Sequence, residues 1–143
     1  MYKKKKFTES VRWYTMAAEK DHSKAQDSLG YMYEHGEGVQ KDLKKAFFWF
    51  EKAAIKGNKN AQHNLAFFYY QGMGVTTNYR RALKWYTKAA LQGHSGSQNN
   101  LGIMYEYGYG IKKNFYEAIK WYQMAADNGN EDGKCNYKRL CHS

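Results

Sequence analysis

The chain has no proline, two cysteines among its 143 residues, and no apolar run longer than a few residues. Each scarcity excludes something. Lack of proline together with an aromatic content of 17% suits packed helices and argues against a disordered tail. The short apolar runs fall far below the ~20 residues that a membrane-crossing helix needs. The opening "MYKKKKFTE" is basic but is followed by no apolar segment, so no secretory signal is read. Lys3–Lys6 there could serve nuclear import or simply begin a solvated helix, and the second reading is preferred. Cys135 and Cys141 both fall in the last nine residues. On a helix, six residues of rise hold their Cα atoms about 9 Å apart, and a disulfide needs less than about 7 Å. Cys-x5-Cys-His is also too loose for an ordinary zinc site. Reduced thiols in a cytoplasmic compartment are the expectation.

What the chain does have is repetition. "RWYTMAA" at 12–18 returns as "FWFEKAA" at 48–54, "KWYTKAA" at 84–90 and "KWYQMAA" at 120–126. The tryptophans Trp13, Trp49, Trp85 and Trp121 are 36 residues apart each time. Self-similarity at a period of 20–50 residues marks a stacked-repeat protein. Within 24–57, Ala25, Leu29, Met32 and Tyr33 share one helical face, and Ala46, Trp49, Phe50, Ala53 and Ala54 share another. "HGEGVQKD" separates the two, with glycines for the helix end and Asp42 to cap the next helix. Shifted by 36, the turn becomes "QGMGVTTN" and then "YGYGIKKN", with Asn78 and Asn114 as caps. Asn114 with Glu117 forms a candidate capping box. Bulk from tryptophan and close approach at alanine are expected to build the core. Trp85→Ala in the middle of the array is therefore expected to disrupt more than Trp13→Ala at its edge.

The expected fold is an all-α, right-handed α-solenoid of antiparallel helix pairs, with about eight helices. A single domain over 1–143 would contain a half repeat at 7–20, full repeats at 24–57, 60–93 and 96–129, and a degenerate capping helix at 131–143. The unfinished N-terminal half repeat suggests one segment of a longer array, or else a monomer.

The pattern Ala-Gln-x-x-Leu-Gly-x-x-Tyr-x-x-Gly-x-Gly-Val, an Asp or Asn cap, then Ala-x-x-Trp-Tyr-x-x-Ala-Ala-x-x-Gly resembles the Sel-one-like (Sel1-like) repeats, relatives of the tetratricopeptide repeats. The resemblance covers roughly residues 10–130. Asp21 stands where a glycine is expected, and Ala66 replaces the helix glycine. The resemblance implies an adaptor that holds multiprotein complexes together. Small secreted bacterial members carry a disulfide in each repeat and have been assigned penicillin binding or β-lactamase activity, and this chain lacks their cysteines.

Chemical motifs are sparse. Gly36-x-Gly38, Gly72-x-Gly74 and Gly108-x-Gly110 each follow a helix rather than a strand, which argues against a phosphate loop. The five histidines form no His-Glu-x-x-His motif, and no serine stands in a Gly-x-Ser-x-Gly elbow. No enzyme activity, metal or cofactor is expected.

At 100° per residue, the first helix of each pair points its leucine (Leu29, Leu65, Leu101) to the core. Gly30, Ala66 and Gly102 lie to one side, where smallness permits close packing. On the other side runs a stripe of amides and apolar groups: Ser28, Tyr31 and His35, then Asn64, Phe67 and Gln71, then Asn100, Ile103 and Tyr107. By resemblance to tetratricopeptide arrays this stripe lines the concave face. Amides can pair with a peptide backbone while rings hold its side chains. Three repeats spanning roughly 30 Å would accommodate about nine extended residues at ~3.3 Å each. The partner expected is a protein or peptide segment.

The formal charge of +10 supports a rival. Lys44, Lys45, Lys52, Lys56, Arg80, Arg81, Lys84 and Lys88 fall on the outer side of the second helices, the footprint of a nucleic-acid or anionic-membrane-surface binder. Most aromatics are committed to repeat positions, which leaves that rival without an evident stacking platform. A peptidoglycan- or lactam-directed enzyme ranks behind both.

Overall fold

The structure is a computed structural model that describes residues 2–142, with side chains from Thr8 onward. The side chains of Lys3–Lys6 lie outside the described residues. Eight helices follow one another: α1 (Tyr2–Glu19), α2 (Ser23–His35), α3 (Leu43–Ile55), α4 (Lys59–Gln71), α5 (Tyr79–Leu91), α6 (Ser95–Tyr107), α7 (Phe115–Asp127) and α8 (Glu131–Cys141). No strand occurs among the described residues. The chain forms two compact units, Met1–Thr77 and Asn78–Ser143.

Helix ends follow from local chemistry. Asp42, Asn78 and Asn114 sit at N-caps with extended backbone, and their side chains accept from the N–H groups of Lys45, Arg81 and Glu117. Asn58, His94 and Asn130 do the same for α4, α6 and α8. The capping box at Asn114 forms only in half. The Asn114 N–H that Glu117 would satisfy donates instead to the Tyr105 carbonyl at 2.9 Å, anchoring the turn to α6. Gly36, Gly72 and Gly108 end α2, α4 and α6 in the left-handed conformation, each N–H returning to a carbonyl of the last turn. Gly110 is fixed by crowding as well. At φ 73° a Cβ there would come within 2.7 Å of the Tyr79 backbone.

In each repeat a buried glutamine joins consecutive helices. Gln26, Gln62 and Gln98 donate Nε2 to the carbonyls of Ala18, Ala54 and Ala90 at 3.0, 3.2 and 3.0 Å. These carbonyls lie near the C-terminal ends of α1, α3 and α5, where each also accepts from the N–H of Asp21, Gly57 or Gly93, so the glutamine supplies a second donor from the next helix. That is the physical content of the repeated Ala-Gln pair.

The core differs from expectation at its largest side chain. Tryptophan does not fill the centre of the packing. Trp13 is 74% exposed, Trp49 and Trp85 are half-buried, and only Trp121 is buried. The next residue takes the centre instead: Phe50, Tyr86 and Tyr122 are fully buried. For Phe50 and Tyr122 the reason is a notch in the facing helix. A Cβ on Gly30 would lie 2.7 Å from the Phe50 ring, and one on Gly102 would lie 2.6 Å from the Tyr122 ring. The missing side chain admits that ring, as expected for a small residue. Trp49 and Trp121, one position earlier, reach both the preceding helix pair and the partner helix of their own repeat. Trp49 packs on a cluster of Val11, Ala18, Ala25, Leu29 and Met32, and Trp121 on Ala90 and Leu101. Trp13 has no preceding pair among the described residues to cover it.

Asp21 takes the position of the expected glycine with φ 68°, the left-handed region in which Gly57, Gly93 and Gly129 stand. Lys56 donates to its carbonyl and lies 3.3 Å from its carboxylate.

Candidate functional site

In the first unit, α2 and α4 carry six of the nine stripe residues. Ser28 is half-buried, Tyr31 is 48% exposed and His35 is exposed. The rings of Tyr31 and His35 meet at 4.2 Å between centroids, one turn apart on α2. On α4, Asn64 and Phe67 are half-buried and Gln71 is exposed. In the second unit, α6 carries Asn100 and Ile103, both half-buried, and Tyr107, 50% exposed. The Tyr107 ring stacks on Tyr109 at 6.0 Å, and Tyr109 meets Tyr79 at 5.1 Å.

Two carboxylates beside the stripe, Asp27 and Glu34, escaped the sequence reading. Asn64 is already engaged: its Nδ2 donates to Asp27 Oδ1 at 3.3 Å. Burial pushes the Asp27 carboxyl above the ordinary range, against the lowering effect of that bond, and the charge of Glu34 adds to the rise. Glu34, half-buried, is also raised by burial, with His35 and Lys41 pulling the other way.

The corresponding place in the second unit is better satisfied. Glu106, 6% exposed, accepts two hydrogen bonds from Arg139 of α8 at 2.8 and 2.7 Å and one from the Tyr122 hydroxyl at 2.7 Å. The Arg139 bonds hold the Glu106 carboxyl below its usual range despite burial. Burial and the bond to Glu106 raise the Tyr122 hydroxyl. Asn136 donates to Asn99 at 2.9 Å, and its oxygen lies 3.4 Å from the Arg139 guanidinium. One signal was available in the sequence: a shift of 72 residues brings Glu34 onto Glu106.

The basic residues of the second helices are exposed as expected, and several cover rings. Lys52 lies over Phe48 and Trp49, Lys84 and Lys88 over Trp85, and Lys120 over Trp121, all at 5.0–5.6 Å. These ammonium groups occupy ring faces that a nucleobase would need. Among the described residues no cluster of His, Cys, Asp or Glu could hold a metal ion, and no helix is long and apolar enough to cross a membrane.

The sequence profile of the Sel1 repeat matches residues 2–22, 23–58, 59–94 and 95–130. The chain belongs to the Sel1 repeat family. Solved Sel1-type structures agree. A Sel1 repeat protein from Oxalobacter formigenes is 34% identical with a TM-score of 0.87, over 92% of this chain and 54% of that one. A protective antigen present in uropathogenic Escherichia coli strains, displaying an SLR fold, is 35% identical with a TM-score of 0.89, over 91% of this chain and 28% of that one. The cysteine rich protein B of Helicobacter pylori is 26% identical with a TM-score of 0.72, over 92% of this chain and 95% of that one. Thus the Sel1 chain spans about half of the Oxalobacter protein and just over a quarter of the Escherichia antigen. Among curated proteins none matches the sequence. The fold class is the all-α helical-repeat solenoid, and Sel1 repeats commonly serve as protein-interaction scaffolds.

Proposed function

We propose that this Sel1 repeat protein is an interaction adaptor, without catalytic activity of its own, that binds an extended segment of a partner protein along the first helices of its repeats. The contacts are Ser28, Tyr31 and His35, Asn64, Phe67 and Gln71, and Asn100, Ile103 and Tyr107. One observation carries the reading. Tyr31 and Tyr107 remain half-exposed on helices whose inward positions, Leu29, Met32, Leu101 and Met104, are already buried. Neither ring is needed to fill the core, and each is held in place by another ring. Prepositioned aromatics lose little freedom on binding, which favours recognition of a peptide.

Asn64→Ala is a poor probe, because it also removes the bond to Asp27. The test is selection of a displayed random-peptide library on the wild-type chain, with the winners measured against Tyr31→Ala/Tyr107→Ala. Binding that weakens about tenfold or more in the variant, in a protein that keeps its helical circular dichroism, supports the groove. Winners indifferent to both substitutions refute it. Binding of single-stranded nucleic acid that collapses with added salt and ignores the tyrosines would transfer the function to the basic outer helices.

A further inference from the structure

We infer that the face of the first unit carrying Asp27, Tyr31 and Glu34 receives an arginine side chain of the partner segment, an inference that rests on the groove reading above. The second unit supplies the template. There Glu106 is bound by the Arg139 fork through two hydrogen bonds, while Asn136 ties Arg139 to Asn99. Subtracting 72 residues gives the first-unit counterparts. Glu34 stands for Glu106, Asn64 for Asn136, Asp27 for Asn99, and Phe67 for Arg139.

The frame is retained without its cation. Asn64 still bonds residue 27, as Asn136 bonds residue 99. Glu34 faces the same register with a phenylalanine where the guanidinium would come from. The hydroxyl that Tyr122 gives Glu106 is missing as well, since residue 50 is Phe. The Glu34 side chain is only 17% exposed, and its recorded ion-pair partner is the half-exposed His35 at 3.7 Å. Lys41 acts on it only through its field. Burial without full compensation is costly to a carboxylate, and an incoming cation offsets that cost.

The first unit also has a second carboxylate, Asp27, where the second unit has the neutral Asn99. Asp27 and Glu34 are two helical turns apart on α2, about 10 Å of rise, with Tyr31 between them. An arginine fits this arrangement better than a lysine. Its planar fork bonds a carboxylate at two points, as Arg139 does, and its face stacks on an exposed ring. The formal charge of +10 repels cationic peptides in general, so retention of an arginine peptide requires a local site.

The peptides selected above are resynthesised with each arginine replaced by citrulline, which keeps the shape and removes the charge. Affinities are measured on the wild-type chain and on Glu34→Gln, Asp27→Asn and Phe67→Arg. Asp27→Asn keeps an acceptor for Asn64, as Asn99 does for Asn136. Arginine should be enriched at one peptide position. Citrulline there, or Glu34→Gln, should weaken binding about tenfold. Phe67→Arg should weaken it equally and raise the melting temperature, because it places a guanidinium in the register of Arg139. Peptides that depend on Tyr31 and Tyr107 but tolerate citrulline and Glu34→Gln overturn the arginine inference and leave the groove standing. Peptides indifferent to all of these residues, or no enrichment at all, overturn both. A lower melting temperature for Phe67→Arg overturns the register argument.

Discussion

Replacing Phe50 by alanine, beside Trp49→Ala and Trp13→Ala, tests which ring of the repeated aromatic pair carries the stability of the first unit. Phe50 is fully buried, its ring fills the notch at Gly30, and it meets Phe68 edge-to-face at 5.4 Å and 82°. Truncating such a ring costs about 3–5 kcal/mol, part of it the loss of the aromatic pair. For a chain of this length that is a fall of about 10–15 °C in melting temperature. Trp49 is half-buried on the Leu29 cluster with Lys52 over its face, so about 1–2 kcal/mol is expected. Trp13, 74% exposed, should cost less than about 0.5 kcal/mol, because alanine is also the better helix former. Guanidinium unfolding followed by circular dichroism, with the slope checked for a separate transition of the first unit, ranks the three. If Trp13→Ala loses as much as Phe50→Ala, the packing described for the notch is wrong.

The Glu106–Arg139 pair gives two further predictions. Arg139→Ala leaves a buried carboxylate without its cation and should cost about 3 kcal/mol, while Glu106→Gln leaves a half-exposed, solvated guanidinium and should cost about 1–2 kcal/mol; equal losses in denaturant melts would contradict the asymmetry. Because the folded Glu106 carboxyl is held below its ordinary value, its stabilisation is present above the unfolded value near 4.5 and is lost as pH falls through the lowered one. A melting-temperature profile from pH 6 downward should therefore fall less for Glu106→Gln than for wild type, and parallel profiles would reject the linkage. Gly102→Ala should destabilise by about 1–2 kcal/mol net of its helix gain, since the new Cβ meets a Tyr122 ring pinned by Glu106; a stabilised variant would show that the ring yields. Asp21→Gly should raise stability by about 0.5–1 kcal/mol by relieving the left-handed backbone, since the exposed Lys56 ion pair that it removes is worth less; a lower melting temperature would refute this ranking.

Much of the fold was legible because it rests on short-range chemistry. Caps such as Asp42 and Asn78 and the glycine turns involve residues only a few positions apart, and backbone geometry fixes their partners, while the 36-residue period shows directly as repeated letters. The apolar faces of α2 and α3 were legible for the same reason, since 3.6 residues per turn is a property of any helix. Glutamine in the Ala-Gln pair was visible as a repeated letter, but its role was not, because Ala18 and Ala90 belong to other helices.

The tertiary structure decided what depends on a neighbouring helix. Adjacent positions on a helix differ by about 100°, so Trp49 and Phe50 both border the core, and the sequence of α3 alone cannot rank them. The notch at Gly30 ranks them by admitting one ring and turning the other away. The same holds for charge. Asp27 with Asn64 and Glu106 with Arg139 are separated by 37 and 33 residues, so their pairing is set by the packing of successive repeats rather than by anything local. The period therefore came from the sequence, and the partners within it came from the stacking of one repeat on the next.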